Sequence, residues 1–184
     1  MSAAAAGSGA ANAEPRIEIK ILEYQASGTT ATEVGANLYR FGPIDINGRK
    51  AWATTAWDPR WVFRYEPKSK GCIVTAVTVS GTITIRMPRL ADAERMQPKL
   101  RRAFDVFMRN LLGHERGHER LLVAAARKIE KGIRGLPPQP SCSQTEQKAN
   151  ALGHKVLKEA DLANRAYDAR EQHRLNGDLR FPSD

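Results

Sequence analysis

The sequence predicts an α+β domain: a mostly antiparallel β region over about residues 16–90, then a long helix and a C-terminal helix within about residues 91–184. Three observations carry this expectation. Apolar residues tend to alternate up to Arg89, the period of half-buried strands. After Pro88 they recur at steps of three or four, the period of a helix with one buried face. Glycine and proline divide the first half into short pieces and close the long helix near Gly135-Leu136-Pro137-Pro138.

The first strand is read from Ile17, Ile19 and Ile21 set against Glu18 and Lys20, and a short helix around Thr30 to Arg40 fits after it. Further strands are expected at Ala51 to Ala56, Trp61 to Tyr65, Ile73 to Val79 and Thr82 to Met87. Breaks fall at Gly28, Gly42-Pro43, Asn47-Gly48, Asp58-Pro59 and Gly81. Trp52, Trp57 and Trp61 are expected to pack in the core or on the sheet rather than to form a ligand-binding strip. In the helical half, Phe104, Phe107, Leu111, His114, His118, Leu122, Ala125 and Ile129 form one inward stripe. The last helix is expected from about Ser143 to Gln172. Residues 16–184 are read as a single domain, since 184 residues suffice to bury one ordinary core.

Residues 1–15, rich in Ala, Gly, Ser and Asn, are expected to be a disordered tail. They lack the basic and apolar regions of an intact signal peptide, while Ala11-Asn12-Ala13 has the small-x-small form of a cleavage site. The expectation is therefore a trimmed signal. No apolar run approaches the roughly 20 residues that span a bilayer, so no transmembrane segment is expected.

The formal net charge of +9 favours acidic partners. The excess is concentrated between Arg86 and Arg134, with thirteen Lys or Arg against six Asp or Glu. A solvated helix face is the simplest reading of that run. An acidic envelope polymer is a possible partner, whereas nucleic acid is not expected, because aromatics do not interleave with the cations. Cys72 and Cys142 are too few and too far apart for a zinc cluster. They are read as one disulfide in an oxidising compartment, or as two buried thiols in a cytosolic protein.

His114-Glu115-Arg116-Gly117-His118 spells HExxH within the long helix. Side chains four residues apart lie one above the other on a helix, so two imidazoles reach one ion, a spacing that suits zinc. Glu115 lies beside them, placed to act as a general base toward a water. The bland alternative is two packed helix histidines beside an exposed glutamate. A catalytic zinc normally takes three protein ligands. A third histidine six residues after His118 is excluded, because that position is Ala124. His154, His173, Glu130, Glu146, Glu159, Asp161 and Asp168 remain open as the third ligand.

At this point the chain resembles a bacterial family of predicted secreted zinc-dependent proteases, catalogued as a domain of unknown function and placed with the zincin-like peptidases. The likeness runs over about residues 17 to 182. It is carried by Tyr24, Gly28, Gly42-Pro43, Gly48-Arg49, Thr55-Ala56-Trp57, Trp61 to Tyr65, Gly71-Cys72, Pro88-Arg89, His114 to His118, Ser141-Cys142, Asn150, Tyr167-Asp168 and His173. The family's closing element usually has a Thr before its last histidine and a Gly after it. Here the Thr is absent and Arg174 stands in place of the Gly.

The resemblance implies a zincin-like fold and a zinc-dependent peptidase acting on peptides or proteins. It implies His173 as the third metal ligand, with Tyr167 or Asp168 orienting a ligand or stabilising an oxyanion. It also implies a Cys72–Cys142 disulfide and a periplasmic or secreted location. The competing expectation is a non-catalytic envelope module that holds an anionic polymer on its basic helix face.

Overall fold

The computed structural model describes residues 14–45, 48–178 and 181–183, with side chains for all of these except 172–178. Along the chain run β1 (Arg16–Ala26), α1 (Ala31–Phe41), β2 (Thr54–Lys68), β3 (Gly71–Leu90), α2 (Pro98–Arg134) and α3 (Cys142–Asp178). A single 3₁₀ turn, Ala93–Arg95, joins β3 to α2. The α+β class with two closing helices is the architecture observed. Residues 1–13 and Asn47 lie outside the described residues.

The sheet has the order β1-β3-β2. β2 and β3 form a long antiparallel hairpin, from Thr54↔Arg86 to Lys68↔Gly71. β1 runs parallel to β3, from Arg16↔Ser80 to Ala26↔Leu90, so the sheet is mixed. Four short strands expected between residues 51 and 87 are in fact two long ones. The reason is that the two expected breaks face each other: Pro59 pairs with Gly81. β2 is an edge strand, where a missing N–H is least costly, and a Cβ at Gly81 would collide with the Asp58 carbonyl and approach the Trp57 indole nitrogen to 2.8 Å.

β1 is the other edge, which leaves Ile19 and Ile21 about half covered although their partners Ile83 and Ile85 are fully buried. α1 starts in a capping box. The Glu33 amide donates to the Thr30 hydroxyl at 3.2 Å, and the Thr30 amide donates to the Glu33 carboxylate at 3.3 Å. Pro98 opens α2, where its missing N–H has no intrahelical partner to lose. The helix then runs 37 residues, about 55 Å, before Gly135.

Two apolar clusters share the length of α2. The first gathers Val34 and Leu38 of α1, Ile85 and Met87 of β3, and Phe104, Phe107 and Leu111 of α2, with Phe181 packed against it. The second joins Val77 and Val79 to Ala126, Ile129 and Ile133 of α2 and to Ala149, Val156 and Ala160 of α3. Trp52 lies edge-on to Phe107, while Trp57 and Trp61 cover the second cluster, which is core and sheet packing. Between the two clusters α2 buries Glu115 and His118, the two ionisable side chains in its otherwise apolar stripe.

Cys72 and Cys142 are disulfide-bonded, with Cα atoms 5.0 Å apart. The bond ties the start of β3 to the start of α3. Beside it, Cys72 and Gln139 exchange backbone bonds of 2.7 and 2.9 Å. Among the described residues no helix is long and apolar enough to cross a membrane.

Candidate metal centre

The seam between the clusters is where the polar residues of α2 meet α3. His114 and His118, one turn apart, point their Nε2 atoms at each other across 3.2 Å. Asp168, from α3, places Oδ1 3.2 Å from the first and 2.9 Å from the second. Among the described residues these three form the group of potential ligand atoms able to share one ion.

The donor set fits zinc. Zn–N and Zn–O distances of 2.0–2.2 Å in a tetrahedral shell require donors about 3.3 Å apart, and the triangle observed is close to that. The two imidazoles are mostly covered, with side-chain exposures of 12% and 11%, while Asp168 at 50% leaves one side open to solvent.

The surrounding bonds orient these donors. His118 Nδ1 is 2.7 Å from Asn164 Oδ1, and the Asn164 amide nitrogen donates to the Ala160 carbonyl at 2.8 Å. The second bond sets the amide's direction, so its oxygen faces His118 and Nδ1 carries the proton. Nε2 is then the ring nitrogen that faces the cluster, the one a ligand histidine would offer. His114 Nδ1 is buried with no hydrogen-bond partner among the described residues. The Tyr167 ring stacks on His114 at 5.1 Å, meets His118 edge-on at 4.9 Å, and its hydroxyl donates to the His114 carbonyl at 3.3 Å.

Glu115 is 4% exposed and accepts a 2.7 Å hydrogen bond from the Thr55 hydroxyl of edge strand β2. Burial pushes its carboxyl above the ordinary range, opposed by the Thr55 bond and by the two imidazoles. Burial alone would also raise Asp168, but the bonds from His114 and His118 outweigh it and hold that carboxyl well below the usual range. For His118 burial disfavours the charged ring, yet the bonds to Asp168 and Asn164 shift it upward overall. Tyr167 is shifted upward, first by burial.

Of the residues singled out from sequence, His114, Glu115, His118, Tyr167 and Asp168 come together here. The side chain of His173, five positions beyond Asp168 on α3, lies outside the described residues. The other candidate ligands are engaged elsewhere. Glu130 pairs with Arg134, Glu146 accepts from Tyr65, Glu159 pairs with Lys128, Asp161 pairs with Arg165, and His154 packs on Trp61. Thr55 and Asn164 were not anticipated. Asn164 stands one helical turn before Asp168, a spacing that carries a signal once Asp168 is known to face α2. Thr55 is among the residues that carry the family likeness, but its link to Glu115 follows only from the placement of β2.

Neither the curated proteins nor the solved structures yield a significant match to this chain. A family model does match, over residues 21–174. On that match the chain belongs to DUF922, a family of bacterial proteins of unknown function.

Proposed function

We propose that the protein is a zinc-dependent peptidase whose metal is held by His114, His118 and Asp168. The observation that carries this reading is the meeting of two Nε2 atoms and one carboxylate oxygen within 2.9–3.2 Å, beside a buried Glu115. Asp168 is preferred to His173 as third donor because its oxygen already stands with both imidazoles. Bound there, zinc supplies Lewis-acid chemistry that polarises a scissile carbonyl and makes a water more acidic.

The chain's own residues supply the rest. Glu115 accepts the proton of the attacking water and returns it to the departing amine. Its position beside the histidines is held by Thr55, and burial raises its affinity for a proton. Because Thr55 lies on an edge strand, an extended substrate laid along β2 would pass the same carboxylate. The disulfide fits an exported protein, periplasmic or secreted.

The decisive experiment is zinc content of the dialysed protein and of His114→Ala, His118→Ala, Asp168→Ala and Glu115→Gln, with hydrolysis of denatured protein substrates. Near-stoichiometric zinc in wild type and Glu115→Gln, lost from the other three, is expected. Glu115→Gln should be inactive. Full activity in Glu115→Gln would sink the mechanism, and a wild type that takes up no zinc would sink the metal site.

A second reading, an envelope module holding an anionic polymer, is favoured by one observation. Arg102, Arg109, Arg116, Arg120, Arg127 and Lys131 are exposed along one line of α2, opposite its buried stripe. Arg116 and Arg127 are partly neutralised by Glu119 and Glu14. Metal-independent binding to an anionic polymer that collapses as salt rises would support this reading over catalysis.

A further inference from the structure

The motif contains a glycine that zinc chemistry does not require. Glycine is among the poorest residues for a helix interior, yet Gly117 stands mid-helix and buried, between Glu115 and His118. A Cβ there would collide with the Tyr167 hydroxyl and Cζ and lie 2.7 Å from Cε1. The aromatic ring of α3 thus occupies the space that a side chain on α2 would fill. Gly113, one turn earlier on the same helix, differs: a Cβ at that position meets nothing within 4 Å.

The seated ring has little freedom to move aside, because one face stacks on His114 and an edge meets His118. The turn of α3 that bears it also bears the groups reaching the two histidines. Asn164 bonds His118 Nδ1, and Asp168, next in the chain after Tyr167, stands against both Nε2 atoms.

We infer that Gly117 and Tyr167 are positioning residues: the missing side chain forms a seat for the Tyr167 ring, and this seat sets the depth and register at which α3 delivers Asp168 to His114 and His118. The inference rests on the metal reading above and adds to it a requirement lying outside the ligands. A methyl group at 117 must push the ring from its seat, and because the ring stacks on His114 and meets His118 edge-on, that movement disturbs the imidazoles or draws α3 back. Either movement spoils a donor triangle whose sides are 2.9–3.2 Å.

The test is a metal titration of the full chain with zinc against a chromophoric chelator, and with cobalt(II), whose visible spectrum reports coordination geometry. Gly117→Ala should bind zinc at least about 10-fold more weakly, the scale on which supporting groups act on metal sites, and should change the cobalt spectrum. Gly113→Ala should match wild type in both. In a Tyr167→Ala background, Gly117→Ala should cost nothing further, because the group it collides with is gone. Tyr167→Phe keeps the ring and should retain near-wild-type affinity.

Tyr167→Ala alone introduces no collision and should still weaken zinc, which keeps the inference open to test if Gly117→Ala fails to fold. Wild-type affinity and spectrum in Gly117→Ala would overturn the inference, as would an undiminished effect of that change in the Tyr167→Ala background. A wild type that binds neither ion would sink the metal reading and this inference with it. That result is distinct from a metal-binding wild type indifferent to Gly117→Ala.

Discussion

Replacing both cysteines by alanine should lower stability by about 4 kcal/mol, chiefly by releasing the unfolded chain. Cys72 and Cys142 are 70 residues apart, and closing a loop of that length restricts the denatured ensemble by about 4 kcal/mol on the chain-entropy account. The folded junction has other supports. Cys72 and Gln139 exchange backbone bonds of 2.7 and 2.9 Å, and the Thr145 hydroxyl donates to the Cys72 carbonyl at 3.1 Å. The native contact between β3 and the start of α3 should therefore survive, leaving nearly the whole effect in the unfolded state.

Urea unfolding followed by helical circular dichroism measures the free-energy difference, and a thermal scan gives a second reading. For a domain of this size 1 kcal/mol corresponds to about 2–4 °C, so the midpoint should fall by roughly 8–16 °C. Wild type unfolded in reductant should behave like the double variant. A loss below about 1 kcal/mol would refute the reasoning, because the cross-link would then restrict a chain already held together by other means.

The carboxyl of Glu33 is held below its usual range by the backbone amides of Thr29 and Thr30. Its contribution to stability is therefore present above the ordinary carboxylate range and lost as pH falls through the depressed folded value. Thermal midpoints of wild type and Glu33→Gln should be separated at pH 7 and converge toward pH 3; a constant gap would exclude the capping charge as the cause. Asn164→Ala removes the acceptor that orients His118, and zinc affinity should fall about 10- to 100-fold, whereas Asn164→Asp should largely preserve it. Chelator competition measures both, and unchanged affinity in Asn164→Ala would show that the bond does not orient the ligand.

The change of apolar period near Pro88 determined the class of the fold, because period two and period 3.6 follow from local backbone geometry. The same logic made His114, Glu115 and His118 legible as a group, since four-residue spacing on a helix is already a statement about proximity. Strand lengths and pairing were not legible. Pro59 and Gly81 read locally as breaks, and only their placement opposite each other turns them into one crossing of two long strands. The parallel partner of β1 lies some sixty residues away, which no local pattern records.

The third donor shows the same limit. Tyr167, Asp168 and His173 stood together in the sequence as candidates, but which atom of α3 reaches α2 depends on the depth and rotation of one helix against another. Those follow from side chains far apart in sequence, from Leu152 set against Gly132 to Tyr167 set against Gly117. Thr55 reaches Glu115 across sixty positions for the same reason. The sequence by itself therefore determined the elements and the helical motif, which are short-range consequences of residue type. The company the motif keeps was decided by tertiary packing, because contacts between distant segments depend on how complete surfaces fit.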